Sequence, residues 1–196
     1  MMNKLLLVFL IFSLNAVSQE VIQKKDGTKI TVDDGSIRIE SSRNKIAYLM
    51  KGDQKVYRVK FKDLDYASYG GFLFKTFIVN KKVKGYFVIS EHKNKVLVSS
   101  RQTRIKSRGG FESTYSFYEI AILDKEGNVV ETLSFSDENS EKSIAARGQV
   151  ILMIKNHFSD CSKLLERVSL FESPSTDIKK TTILAFINDP KNVNCM

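Results

Sequence analysis

The sequence predicts a β-rich α+β fold, an antiparallel sheet (roll, meander or barrel-like) followed by one or two C-terminal amphipathic helices. Two observations carry that reading. Between residues 20 and 135 short alternating or β-branched runs recur, cut by turn dipeptides, and no helix-length periodic segment interrupts them. After residue 136 the apolar spacing changes to that of a helix face. The expected organisation is a leader over 1–18, a sheet body over 19–135 and a helical part over 136–196 packing on that body.

The leader is read first. Lys4 precedes the run LLLVFLIFSL at 5–14, and Asn15-Ala16-Val17-Ser18 follows. This order of basic, apolar and small residues predicts an export signal cleaved after Ser18. As a membrane anchor the run is short, since ten helical residues span about 15 Å against a hydrocarbon core of roughly 30 Å. A lipoprotein would need a Cys just after the run, and Cys161 and Cys195 lie far beyond it. The expected localisation is periplasmic or extracellular, with no transmembrane segment after cleavage.

In the body, Asp26-Gly27 between 21–25 and 28–32 predicts a two-residue hairpin, because both residues tolerate positive φ. Runs at 36–40, 45–50 and 55–61 follow, with Lys51-Gly52-Asp53 turning between the last two. Gly70-Gly71 separates 64–69 from 72–79, and Asn80-Lys81-Lys82 separates that from 83–90. Residues 92–94 precede a long run at 95–107. Lys125-Glu126-Gly127 then turns between 115–123 and 128–135. In the last part Ile144, Ile151 and Phe158, with Ala145 and Leu152 beside them, predict one helix face; Gly148 weakens it, leaving 149–154 open to a strand reading. A second helix is expected to start at a Ser159 or Asp160 cap, to bury Leu164, Leu165, Val168 and Phe171, and to end at Ser173-Pro174-Ser175. Residues 181–187 read as a strand or short helix.

Composition excludes several classes. With 196 residues, 42% of them apolar, the chain builds a core and is neither disordered nor collagenous, and two cysteines do not make a disulfide-dense mini-protein. In an oxidising compartment Cys161 and Cys195 are expected to pair, closing a loop whose entropy is worth about 4 kcal/mol in the chain-entropy model. His157 and Cys161 stand four apart, as metal ligands can, but no further ligand pair with the usual spacing accompanies them. No metal or other cofactor is expected.

Catalytic patterns are sparse. There is no Gly-x-Ser-x-Gly element for a serine hydrolase. His92 reads as a turn residue and His157 as a helix-end residue complementing the helix dipole. Asp63 and Asp65 are expected to alternate on one strand face, and Asp33-Asp34 to sit in a turn; a hydrolase would rest on such isolated carboxylates. Gly109-Gly110 after Arg108 lacks the Gly-Lys-Ser/Thr of a phosphate loop.

The formal net charge of +9 is local. Residues 81–110 hold nine basic residues against Glu91 alone, and residues 19–196 outside that window are neutral in sum. A strand over 99–107 places Gln102, Arg104, Lys106 and Arg108 on one side and Arg101, Thr103, Ile105 and Ser107 on the other. Lys93, Lys95, Arg101, Arg104, Lys106 and Arg108 are the candidate anion-binding residues, with Tyr86, Phe87, Phe111, Tyr115, Phe117 and Tyr118 near enough to stack. For an exported chain the matching polymers are lipopolysaccharide, acidic glycans or extracellular nucleic acid, not genomic DNA. The alternative is a solvated edge that blocks strand-to-strand association.

Phe158-Ser159-Asp160-Cys161-Ser162-Lys163-Leu164 followed by Asn194-Cys195 resembles uncharacterised exported proteins of Bacteroidetes. Asp26-Gly27-Thr28-Lys29-Ile30 and Val59-Lys60-Phe61-Lys62-Asp63-Leu64-Asp65-Tyr66 are similar to the openings of such chains. The resemblance implies export, a sheet-rich body and the disulfide, and carries no catalytic residue. The function expected is a non-catalytic binding or assembly protein of the cell envelope, acting on an anionic envelope polymer or another envelope protein.

Overall fold

The computed structural model describes residues 20–108, 111–138, 140–171 and 182–195. The expected leader, the Gly109-Gly110 turn and Ser173-Pro174-Ser175 lie outside them. Twelve strands are described: β1 (Val21–Lys24), β2 (Lys29–Thr31), β3 (Arg38–Glu40), β4 (Lys45–Leu49), β5 (Val56–Lys60), β6 (Leu64–Tyr69), β7 (Phe72–Val79), β8 (Lys82–His92), β9 (Lys95–Arg108), β10 (Phe111–Asp124), β11 (Val129–Ser136) and β12 (Val193–Asn194). Three helices follow the body, α1 (Glu141–His157), α2 (Ser162–Ser169) and α3 (Thr182–Asn188). The protein is therefore β-rich α+β.

The large sheet runs β11-β10-β9-β8-β7-β6-β1-β2, with β12 parallel to β8; β3, β4 and β5 form a separate antiparallel sheet. Phe87, Ser99 and Ile120 are register partners across β8, β9 and β10, so their side chains share one face. That face carries both other layers. At the β1–β6–β7 end the small sheet packs on it through Ile37, Ile46, Tyr48 and Val59 against Ile22, Leu64, Ala67 and Phe74. At the β9–β11 end the helices pack through Val150, Met153, Ile154, Leu164, Val168 and Phe186 against Leu97, Tyr118, Ile120, Ile122 and Phe135. On the opposite face Val79, Tyr86, Val88, Val98, Ala121 and Leu123 are also buried, although none of the described helices packs in their cluster. The sheet buries them by curling: the β10–β11 turn reaches back to β7, where a Cβ on Gly127 would stand 3.4 Å from the Ile78 carbonyl. Inside the roll the Tyr86 hydroxyl donates to Glu119 Oε1 at 2.7 Å, and burial pushes that phenol's pKa up.

Turn chemistry departs from expectation at one place. Asp26-Gly27 does not form a two-residue turn, because only Gly27 has positive φ (+87°). Gly27 N–H donates to Lys24 O and Lys24 N–H to Thr28 O, which is a type I turn closed by a glycine bulge. The β10–β11 connection repeats it around Gly127. Asn80-Lys81 and Gly70-Gly71, with positive φ at both positions, are two-residue turns, and Lys93-Asn94 between His92 and Lys95 is another.

The helical part also corrects details. α1 buries Ser143, Arg147, Val150, Met153 and Ile154, whereas Ala145 and Leu152 face solvent and Ile144 and Ile151 are half-buried. The packed stripe keeps the seven-residue repeat, Ser143 with Val150 and Arg147 with Ile154, but is rotated from the expected face because the floor of the sheet selects it. Ser140 caps α1, accepting from Ser143 N–H at 3.3 Å. α2 begins after Cys161 with no side-chain cap, so neither Ser159 nor Asp160 serves as one. Residues 149–154 are helical, in keeping with the helix face read from the sequence, and of the two readings for 181–187 the short helix holds, at Thr182–Asn188.

Cys161 and Cys195 are joined, their Cα atoms 5.1 Å apart. The bond ties the start of α2 to the end of β12. β12 lies beside the second half of β8, where Ser90 Oγ donates to Val193 O at 2.9 Å and Asn192 Nδ2 to Val88 O at 3.1 Å. Among the described residues no helix is long and apolar enough to cross a membrane.

Replacing both cysteines by alanine is expected to cost about 2–4 kcal/mol, measured as a shift in denaturant midpoint against the oxidised parent. Gly85 lies under two phenyl rings, and an added Cβ would stand 2.3 Å from Phe74 Cζ and 2.7 Å from Phe61 Cε2. Gly85→Ala is therefore expected to destabilise by about 1–3 kcal/mol through overpacking, and an unchanged midpoint would show that the rings move aside freely.

Candidate anion-binding cleft

β9 and β10 have fourteen residues each and outrun their neighbours. β8 pairs with β9 only as far as Phe87↔Ser99, and β11 pairs with β10 only as far as Phe117↔Ser136. Beyond those pairs, and past a last bond from Asp137 N–H to Ser116 O at 3.0 Å, the two strands pair only with each other among the described residues and form an arm. The register sets Gln102 opposite Phe117 and Arg104 opposite Tyr115 on one face, with Arg101 opposite Tyr118 and Thr103 opposite Ser116 on the other. The alternation read from the sequence is thus the register of the arm. Lys106 and Arg108 pair with Ser113 and Phe111 in the backbone ladder.

Where β8 and β9 part, the small sheet comes alongside. Its 3-10 turn, Ser41–Arg43, follows β3 and ends at Asn44 in the left-handed conformation (φ 50°). The Asn44 carbonyl accepts Phe61 N–H at 2.9 Å, which fastens the turn to the core. A cavity of about 590 Å³ separates this turn from β9. One wall is Ile39, Glu40, Ser41, Ser42 and Arg43; the other is Arg101, Gln102, Thr103 and Arg104. Four consecutive strand residues cannot all point into a cavity from one sheet face, so it is the edge of β9 that borders it.

The cleft is basic. Arg43, Arg101 and Arg104 stand against one carboxylate, Glu40, which already lies 3.5 Å from Arg58 and 4.0 Å from Arg43. Arg101 Nε donates to Ser116 Oγ at 3.1 Å, and its guanidinium lies 5.9 Å from the Tyr118 ring. Ser116 N–H in turn donates to Asp137 Oδ1 at 2.9 Å, so the root of the arm is braced from behind. Arg104 lies 4.9 Å over Phe117, a cation–π contact that leaves its N–H groups able to donate. Guanidinium groups with serine, threonine and glutamine side chains around them are suited to receiving carboxylate, sulfate or phosphate oxygens.

No family model, curated protein or solved structure matches the chain. The reading of the site rests on its own geometry.

The other candidate residues fall elsewhere. Lys95 opens β9, nine residues from Arg104 and hence about 30 Å away, and Lys93 sits in the turn before it. They border a separate cavity of about 460 Å³ with Glu91, His92 and Asn192. Lys93 pairs with Asp160, and His92 Nε2 lies 3.0 Å from the same carboxylate. The basic window is therefore two surfaces, not one strip. Asp63 lies in a 3-10 turn (Phe61–Asp63) and not on a strand with Asp65, and the two border different cavities. His157 Nε2 contacts Glu131 at 2.8 Å, and the Cys161 sulfur is committed to the disulfide, so these two do not act as a ligand pair. Ser41, Ser42 and Arg43 were not singled out in the sequence; two serines and an arginine after the run at 36–40 carry no distance information.

Hydrogen bonds from Lys93 and then His92 hold the Asp160 carboxyl at about 2, below the ordinary carboxylate range. A carboxyl depressed on folding stabilises the native state above its unfolded pKa and loses that contribution as pH falls toward the folded value. Between about pH 4 and pH 2 the parent is therefore expected to lose stability more steeply than Asp160→Asn, read from thermal midpoints across that range.

Proposed function

We propose that this protein is a non-catalytic binding protein of the cell envelope, exported by its leader and engaging an anionic partner through the cleft at the root of the β9–β10 arm. The single observation that carries this reading is the meeting of Arg43, Arg101 and Arg104 at one cavity, supplied by two different sheets. Export is supported by the order of residues in 1–18, and the Cys161–Cys195 bond suits an oxidising compartment. The arm also disfavours pairing with its own copy, because two such edges would bring arginine against arginine.

The test uses heparin as a polyanion. Arg101→Glu combined with Arg104→Glu is expected to lower the salt concentration for elution well below that of the parent, while the same double charge reversal at Lys29 and Lys62, away from the cleft, changes it far less. Equal elution of the two double variants would remove the cleft as the binding surface.

A further inference from the structure

We infer that the partner taken by this cleft is an extended acidic peptide segment, added as a strand to the free edge of β9. This rests on the anionic-partner reading above and names the chemical class of that partner. The edge itself is the first argument. β9 hydrogen-bonds to β8 up to Ser99 and then continues, still paired to β10 on its other side, along a cavity that Arg101, Gln102, Thr103 and Arg104 border in succession. A strand held in extended geometry by one neighbour presents backbone N–H and C=O groups at the spacing another strand requires. Four residues of edge span about 13 Å, enough to register a short peptide strand.

The second argument is charge. A strand laid on this edge would have Arg101 and Arg104 on its two faces, one per face by the register of the arm, and Arg43 across the cavity. Side chains of an added strand alternate in the same way, so carboxylates at neighbouring positions would meet guanidinium groups on both sides. A sulfated glycan or a nucleic acid would use the arginines alone and leave the strand edge unused.

The contrast between edge pairing and charge alone decides the test. The probe is a six-residue peptide with four consecutive glutamates between two valines and blocked ends, which carries carboxylates on both strand faces, measured by calorimetry against the full chain, beside the same peptide N-methylated at all four glutamates. Methylation keeps the charge and removes the donors that pair with the strand edge. The unmethylated peptide is expected to bind at least about tenfold more tightly, with hydrogen-exchange protection gained at alternate amides within 101–104, those that point away from β10. Equal affinity of the two peptides, or heparin bound through Arg101 and Arg104 with no peptide binding, overturns the strand-addition inference while the anionic-partner reading stands. Heparin retention indifferent to the two arginines defeats that earlier reading instead.

Discussion

The shape of the molecule depends on β8 changing neighbours at Phe87. Its first half is paired to β7 and its second half to β9, with the register shifting between Val88 and Ser90. Each half is therefore left with one side unpaired. Backbone amides and carbonyls removed from water need partners, and those that an opening leaves in water are hydrated instead. Beside the second half the opening is filled by the chain's own C-terminal segment: β12 pairs with Ser90 and Glu91, and Asn192 serves the carbonyls of Gly71 and Val88. The disulfide holds that segment in place.

The opening beside the first half is treated differently: among the described residues no strand enters it, and apolar rings pack on the face next to it. Phe61 and Phe74 lie over Gly85, and the small sheet leans on the same region through Phe61 and Asn44. The absence of a side chain at Gly85 lets the rings come that close; the glycine is there for close approach, since its φ is not positive. Further along, β9 stands clear of β8, and the turn at Ser41–Arg43 comes near without pairing to it. The cleft is thus the portion of the split that the protein leaves unfilled. Arginine at such an edge discourages association between copies and at the same time selects for an anionic partner.

Much of the body was legible along the chain. The strands at 64–69 and 72–79 were bounded by Gly70-Gly71 and Asn80-Lys81, residues suited to the positive φ of tight turns, and the run at 95–107 showed as one stretch without a turn dipeptide. The face of α1 was not legible. A helix of this composition carries apolar residues on several sides, and the floor beneath it selected Val150 and Ile154 together with the fully buried Arg147, whose Nη2 comes only within 3.5 Å of the Glu138 carbonyl. Burial lowers the pKa of that guanidinium.

Residue order by itself determined the sheet-rich body, the helical end, the two cysteines that pair and the alternation that puts Arg101 and Arg104 on opposite faces of one strand. These are local matters, governed by backbone dihedrals and a two-residue period. Only the tertiary structure decided that Lys93 and Lys95 belong to a different surface from Arg104, that Asp63 and Asp65 serve different cavities, and that Arg43 joins the arginines of β9. Charge counted along a sequence window has no direction in space. A fourteen-residue strand separates its two ends by tens of ångströms, while a turn some sixty residues earlier is brought beside it by the packing of one sheet on another.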